Sequence, residues 1–435
     1  MEKFLKYFEP SFTVLALIQY SANWLPLLLS GGASEGDGTD INSFDFRLNV
    51  LVFLLTYIIS GVLLLLRWKK FIIFLKKGSI IWIMIGIALA SYFWSDFPAR
   101  TLKSCVGLIG TTLFGVYLAS RYTLKEQLKL LVYAYGIIAV MSVLFAIALP
   151  RYGVEQVIHA GAWRGIYNHK NLLGRGMTMG GIVLALSPSL FEKKDRLWCR
   201  IGLAITCLLL VMAKSSSSLI NFTLLMISLS AYRVLRFRYL LLIPALIGLL
   251  TLSATVFQIY TDYAEELLGL IGKDPSLTGR TDLWVWVGEM IDKRPWFGYG
   301  YTAFWNGLDG ASAYVVRAAR WPVPYSHNGI LDLWLDIGLF GVSAYLLGFV
   351  INFFRAIFLA RSSVGLDGMW PLIFMTYLIL TNATEGGILS QNSIFWVLYT
   401  ATSLSITTPP EAFTPPKFPS DVLSHSPKIH CDSLQ

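Results

Sequence analysis

Apolar residues run along this chain in blocks close to the roughly 20 residues that a membrane-spanning helix needs, so the pattern predicts about twelve spans. They centre on Phe12–Ser30, Leu48–Leu66, Ile80–Phe93, Leu102–Ala119, Leu128–Leu149, Leu172–Leu190, Ile201–Ala213, Leu219–Leu235 and Leu240–Phe257, then on Ile330–Phe353, Trp370–Ala383 and Ile394–Ile406. One long, partly polar interruption, Ile259 to His327, separates the ninth block from the tenth. A connection of that size between apolar spans is uncommon unless it works. The expected fold class is an all-α polytopic membrane protein with one large extracytoplasmic loop carrying short helices. Its parts are helices one to nine over 1–258, the loop over 259–326, helices ten to twelve over 327–406 and a tail over 407–435. The tail is rich in Pro and Ser without apolar period and is expected to be disordered and cytoplasmic.

Composition agrees with lipid as the main solvent: hydrophobic residues make up 55% of the chain and charged residues 14%. The first apolar block, Phe12 to Leu29, exceeds the apolar core of a signal peptide. The net charge of +9 does not read as a nucleic-acid surface, because Lys and Arg gather in short clusters between apolar blocks, where they set orientation. Arg67, Lys69, Lys70, Lys76 and Lys77 fill the second gap, Lys193, Lys194, Arg196 and Arg200 the sixth, and Arg233, Arg236 and Arg238 the eighth. The first gap instead holds Glu35, Asp37 and Asp40. Even gaps are therefore expected in the cytoplasm, with both termini. Nearly every polar cluster then falls on the outer face. The four cysteines (Cys105, Cys199, Cys207, Cys431) show neither a disulfide framework nor metal spacing.

Three outer stretches carry candidate chemistry. Trp163 to Gly174, with His169-Lys170-Asn171, enters the sixth span with its helix N-terminus outward, a ready anion site. Arg164, His169 and Lys170 add charge there, and Asn171 shares a helix face with Arg175, an arginine one turn into a span. A basic cap that merely closes the helix fits the same residues. In the loop, Thr278 is positioned to cap a helix from about Arg280 to Lys293, with Leu283, Trp284, Val287 and Ile291 as its apolar face. Arg280 stands in the first turn, where a cation is unfavoured. Either an anionic ligand or a plain salt bridge answers that. Arg294-Pro295 and Gly298-Tyr299-Gly300 read as the turn that stops the helix. His327, beside Asn328, opens the tenth span and suits either proton transfer or a structural cap. Asp332 and Asp336 follow one and two turns on, Ser215–Ser218 reads as a turn, and Glu385 in the last outer gap is a candidate carboxylate base.

These residues resemble the O-antigen ligase and polysaccharide polymerase superfamily of bacterial inner membranes, on the side of the exopolysaccharide polymerases. The resemblance rests on Trp94-Ser95 with Pro98, Gly165–Gly174, Gly279-Arg280 through Trp284, Pro295 through Gly300, and His327-Asn328-Gly329 with Gly338 and Gly341. It implies a multi-span, inverting glycosyltransferase acting on the outer face on an undecaprenyl-pyrophosphate-linked oligosaccharide. The acceptor would be a glycan or lipid. No cofactor and no metal are implied; membrane lipids and envelope polysaccharide assembly proteins are the implied partners, and no nucleic acid. It matches the family's pyrophosphate-holding arginines to Arg164 and Arg280 and its loop histidine to His327. Together with the residue patterns above, catalysis is expected of His327, Arg280 and Glu385, and substrate binding of Arg164, His169, Lys170, Asn171, Arg175 and Asn328. The competing reading is a multi-span solute or anion transporter, which paired repeats and midplane helix breaks would favour.

Overall fold

The computed structural model describes residues 2–33, 44–157, 159–235, 279–363, 365–383 and 385–407, with Pro244, Gly248 and Thr251. The rest of the ninth apolar block, loop residues 259–278 with Thr278, the acidic first gap and the tail beyond 407 lie outside the described residues. Within them the chain is helical, and the lone β-bridge pairs Val154 with Trp163. The helices are α1 (Glu2–Ala22), α2 (Trp24–Leu29), α3 (Arg47–Leu65), α4 (Trp68–Lys77), α5 (Ser79–Ala90), α6 (Pro98–Arg121), α7 (Leu124–Ala148) and α8 (Pro150–Gly153). There follow α9 (Lys170–Leu186), α10 (Arg196–Met212), α11 (Ser216–Leu235), α12 (Gly279–Lys293), α13 (Ser312–Ala319), α14 (Gly329–Ser362), α15 (Trp370–Asn382) and α16 (Ile394–Ile406).

Local chemistry sets several of these boundaries. Pro98 opens α6, where its missing N–H costs nothing. Thr123 and Glu126 form a reciprocal capping box on α7. Asn328 caps α14, its side-chain oxygen accepting from the N–H groups of Ile330 and Leu331.

Four described helices (α3, α6, α7 and α14) are each long and apolar enough to cross a membrane, and the bent pair α4–α5 makes a fifth if counted as one span. That is a multi-pass membrane protein. It is also fewer such helices than the apolar blocks predict. Length accounts for part of the difference: α9 and α10 have 17 residues each and α15 and α16 have 13 each, and 13 residues at ~1.5 Å per residue fall well short of a ~30 Å hydrocarbon core. α15 and α16 are buried nearly all round, as a helix apolar on every side must be. Trp396 of α16 donates to Thr112 Oγ1 of α6 at 2.8 Å, tying the two central helices together.

The loop packs a second small core of its own. Leu283, Val287, Met290 and Ile291 of α12 meet Tyr299, Phe304, Val315 of α13, Val323 and Leu335 of α14. The apolar face predicted for α12 is therefore the one that packs, with Trp284 half-buried at its edge.

This cap is fastened to the bundle through a break in α14. Ile337 and Gly338 leave helical geometry, and Gly338 has φ +68°. The segment 295–300 fills the gap: Tyr299 N–H donates to the Leu335 carbonyl at 2.7 Å and Gly300 N–H to that of Asp336 at 3.0 Å. In return Leu339 N–H donates to the Pro295 carbonyl at 2.8 Å. The predicted turn thus stops α12 and also pairs the backbone groups that the break releases. Trp94 and Asp96 clamp it from the other side: Trp94 Nε1 donates to the Phe297 carbonyl at 2.9 Å, and Arg294 Nη1 lies 2.7 Å from Asp96 Oδ1.

The polar gaps sort to two ends. Glu9, Arg67 and Arg121 meet at one end of α6. At the other, Gly32 meets Arg164, Trp94–Asp96 meets 294–299, and Arg280 meets Glu385.

A Cβ at Gly298 (φ +69°) would stand 2.5 Å from the Leu335 carbonyl oxygen, whereas one at Gly136 in α7 meets nothing within 4 Å. Gly298→Ala is therefore expected to cost at least about 1–3 kcal/mol from backbone strain alone. Gly136→Ala should be neutral or stabilise by up to ~1 kcal/mol. Thermal unfolding in detergent compares them; equal melting points would mean the inserted segment holds nothing in place.

Candidate functional site

The carboxylate of Glu385, just past α15, is where four separate parts of the chain converge. Arg280 Nη2 of α12 lies 3.5 Å from Oε1 and His327 Nδ1 lies 3.5 Å from Oε2. Tyr325 OH donates to Oε2 at 2.9 Å. Arg175 of α9 donates through Nη1 to the neighbouring Gly386 carbonyl at 2.8 Å, and its guanidinium stacks 4.2 Å from the Phe395 ring centroid. The Tyr377 hydroxyl steadies it by donating to the Arg175 carbonyl at 3.1 Å. The unfavourable cation in the first turn of α12 thus has an anionic partner, and it comes from the last gap rather than from the loop.

The histidine is held by its neighbours. Its backbone has φ +56°, a conformation that non-glycine residues adopt only when the surroundings impose it. Four bonds impose it. Ser326 N–H donates to Asp332 Oδ1 at 2.9 Å, Trp284 Nε1 donates to the Ser326 carbonyl at 2.9 Å, and Ser326 Oγ bridges the backbone N–H and carbonyl of Asn328. Asp332 also accepts from Trp305 Nε1 at 3.0 Å, so it fixes the turn that carries His327. The Tyr325 ring lies 4.3 Å from the imidazole and that of Trp321 lies 6.3 Å away.

Electrostatics keep the carboxylate charged. Glu385 is only 7% exposed, and burial alone would raise its pKa. The adjacent His327, with the charges of Arg280 and Arg175, outweighs that and holds it at about 2. At neutral pH it is an anion set among cations, and a poor base in this state.

The stretch around His169 is arranged otherwise. Arg164 is fully buried and spends its donors on the carbonyls of Tyr152 at 2.8 Å, Arg151 at 3.0 Å and Gly32 at 2.5 Å, with Glu155 Oε2 3.6 Å away. Glu155 Oε1 accepts from the Lys170 N–H at 3.0 Å, so a carboxylate of the chain itself fills the anion position at the start of α9. His169 caps that helix, its Nδ1 accepting from Asn171 N–H at 3.2 Å. Burial first, then Lys170, lowers its pKa to about 4 and leaves it neutral. Lys170 Nζ donates to the Lys214 carbonyl at 3.4 Å, Asn171 is half-buried, and Asn328 is taken up by capping α14. Of the nine candidates, the structure brings Arg280, His327, Glu385 and Arg175 together and puts Arg164, His169, Lys170 and Asn171 around the start of α9.

Two residues escaped the sequence reading. Tyr325 carried no signal beyond standing two places before His327. Glu155 did carry one: it is the sole carboxylate between Arg151 and Lys170.

Residues 201–346 match the O-antigen ligase family. Over 301 residues the chain is 25% identical to the exopolysaccharide production protein ExoQ of Rhizobium meliloti (strain 1021), covering 64% of this chain and 65% of that protein, just under two thirds of its length. The family match contains Arg280 and His327 and leaves Arg164, Arg175 and Glu385 outside it.

Two outcomes are expected from this geometry. A depressed folded-state pKa means that ionised Glu385 stabilises the fold above its ordinary value of 4.5, and that this support is lost as pH falls from there through about 2. Thermal unfolding of wild type should therefore soften over that window more than that of Glu385→Gln; parallel curves would mean the carboxylate is not held this way. Arg164→Ala strands buried Glu155 and should cost about 3–5 kcal/mol, read as a lowered melting point with the protein kept in detergent.

Proposed function

Taking the chain as a member of the O-antigen ligase and polysaccharide polymerase superfamily, which the family match and the ExoQ relative support, we propose that it transfers glycan from a lipid-pyrophosphate donor in exopolysaccharide or other cell-surface polysaccharide synthesis. The observation that carries the reading is the convergence of Arg280, His327, Arg175 and ionised Glu385 at one end of the bundle. In this proposal the chain crosses the bacterial inner membrane about twelve times with both termini in the cytoplasm, as the apolar blocks and basic gaps suggest. The site then faces outward, where an undecaprenyl-pyrophosphate-linked oligosaccharide would present its anomeric carbon. Metal and nucleotide sugar have no part in the scheme.

The chemistry follows from the placement. Glu385 lies against Nδ1 of His327, which favours the tautomer with the proton on Nδ1 and leaves Nε2 as the acceptor. An acceptor hydroxyl gives its proton to Nε2 while its oxygen bonds the anomeric carbon from the face opposite the pyrophosphate. The carbon–oxygen bond to the pyrophosphate breaks, its electron pair leaves with the phosphate, and configuration inverts. Arg280, half-exposed beside Glu385, and Arg175 supply positive charge for the departing anion. Glu385 orients the histidine rather than taking the proton, given its pKa of about 2. Arg164, His169, Lys170 and Asn171 shape the start of α9, and Asn328 with Asp332 shapes the His327 turn, so these residues position rather than react.

The transport reading has an observation in its favour, the break in α14 at Ile337–Gly338. That break is filled by 295–300 instead of facing an open path, which leaves the transferase as the better account.

The test is transfer by purified protein given a lipid-pyrophosphate oligosaccharide, without added metal or nucleotide. Wild type should yield longer lipid-linked chains if it is a polymerase. His327→Ala should lower turnover by roughly 10²–10⁴-fold, the range for loss of a general base. Arg280→Lys, keeping charge but losing the planar fork, should retain only a small fraction. Wild-type turnover in His327→Ala would remove the histidine from the reaction, and solute flux with no glycan product would replace the transferase by a transporter.

A further inference from the structure

At the end of the bundle far from Glu385, α4 presents three different faces. Phe74, 3% exposed, and the partly buried Phe71 turn toward the core. Trp68, Ile72 and Leu75, at i, i+4 and i+7, form one exposed apolar stripe, with Trp68 55% exposed. Lys69, Lys70, Lys76 and Lys77 share the remaining arc, all exposed, with Ile73 among them. The helix is bent by 81° from the apolar helix that follows it. If that following helix crosses the membrane, α4 runs close to the membrane plane. A short helix in that attitude, with protein on one side, an apolar stripe on the next and lysines on the third, matches the boundary between acyl chains and headgroups.

Its base is held rigidly. Arg67, directly before α4, pairs with buried Glu9 at 2.5 Å, and Glu9 also bonds Arg121. That carboxylate is already shared by two arginines. The four exposed lysines of α4 make a dense cationic strip. Trp68 at one end carries the Lys69 ammonium 5.9 Å from its ring, and Lys77 at the other reaches the Thr407 carbonyl at 3.4 Å.

We propose that α4 is a docking surface for anionic phospholipid headgroups, with Trp68, Ile72 and Leu75 in the acyl boundary and Lys69, Lys70, Lys76 and Lys77 on the phosphates. Charge complementarity fixes the occupant: phosphate oxygens suit a row of ammonium groups, and anionic lipid concentrates them at this depth. The inference stands apart from the proposed glycan transfer, which concerns the other end of the molecule.

Native mass spectrometry of the full-length protein, offered equimolar phosphatidylglycerol and phosphatidylcholine in detergent, reads the preference directly. Wild type should retain the anionic lipid at least ~5-fold over the zwitterionic one, and Lys69→Gln/Lys70→Gln/Lys76→Gln/Lys77→Gln should bring the ratio within ~2-fold. The four-arginine counterpart should keep it. Should the four-glutamine protein fail to fold, Lys76→Gln/Lys77→Gln at the exposed end must still lower the ratio. Equal retention by wild type, or a preference unmoved by either glutamine variant, overturns the proposal. Protection of α4 from hydrogen exchange in native membranes but not in phosphatidylglycerol vesicles would assign the face to a partner protein and overturn it likewise.

Discussion

A helix that breaks inside a bundle releases backbone groups that lipid cannot satisfy, and everything at the working end of this protein depends on how that demand is met. The break at Ile337–Gly338 is closed by the backbone of 295–300, which lends donors to Leu335 and Asp336 and accepts from Leu339. The same bonds dock α12 and its small apolar core against the bundle, which sets where Arg280 lies. One turn before the break, Asp332 fixes the Ser326 turn and so the direction of His327. Loop and helix are therefore one construction, joined through main-chain atoms, and the site sits over the joint.

Charge is handled by the same device at both ends. Glu9 is shut between Arg67 and Arg121, and Glu385 stands between Arg280 and His327 with Arg175 close by. In each case a buried carboxylate faces two cationic side chains, which avoids the large cost of an unpaired buried ion. The difference lies in what holds the cations. Arg67 and Arg121 flank spanning helices, whereas Arg280 belongs to the loop helix and is partly exposed. Glu155 shows the contrast a third time: with buried Arg164 and the start of α9 it closes an anion site from within.

How far the sequence reads depends on the range of the interaction. Apolar blocks are local quantities, so the helical membrane class and the span of α12 were legible in the residues themselves. The short motifs were legible too, but their meaning was not. Gly298, Gly300 and Gly338 look like turn residues until the structure shows main chain passing main chain at that spot. The bounds of α15 and α16 were legible as well, but not their burial, because apolar periodicity cannot distinguish a span from a short helix buried on all sides.

The sequence by itself determined that this chain is a polytopic helical protein with its polar clusters in a few gaps, because solvent preference is written residue by residue. It also named Arg280, His327 and Glu385 as the residues to watch. Only the tertiary structure decided that these three share one carboxylate-centred cluster and that Arg164 is buried among backbone carbonyls. Partners 42 to 105 residues apart in the chain, such as Trp284 with Ser326 and Arg280 with Glu385, carry no local signature of their pairing. Their meeting is fixed by helix packing, and packing exists only once the chain has folded.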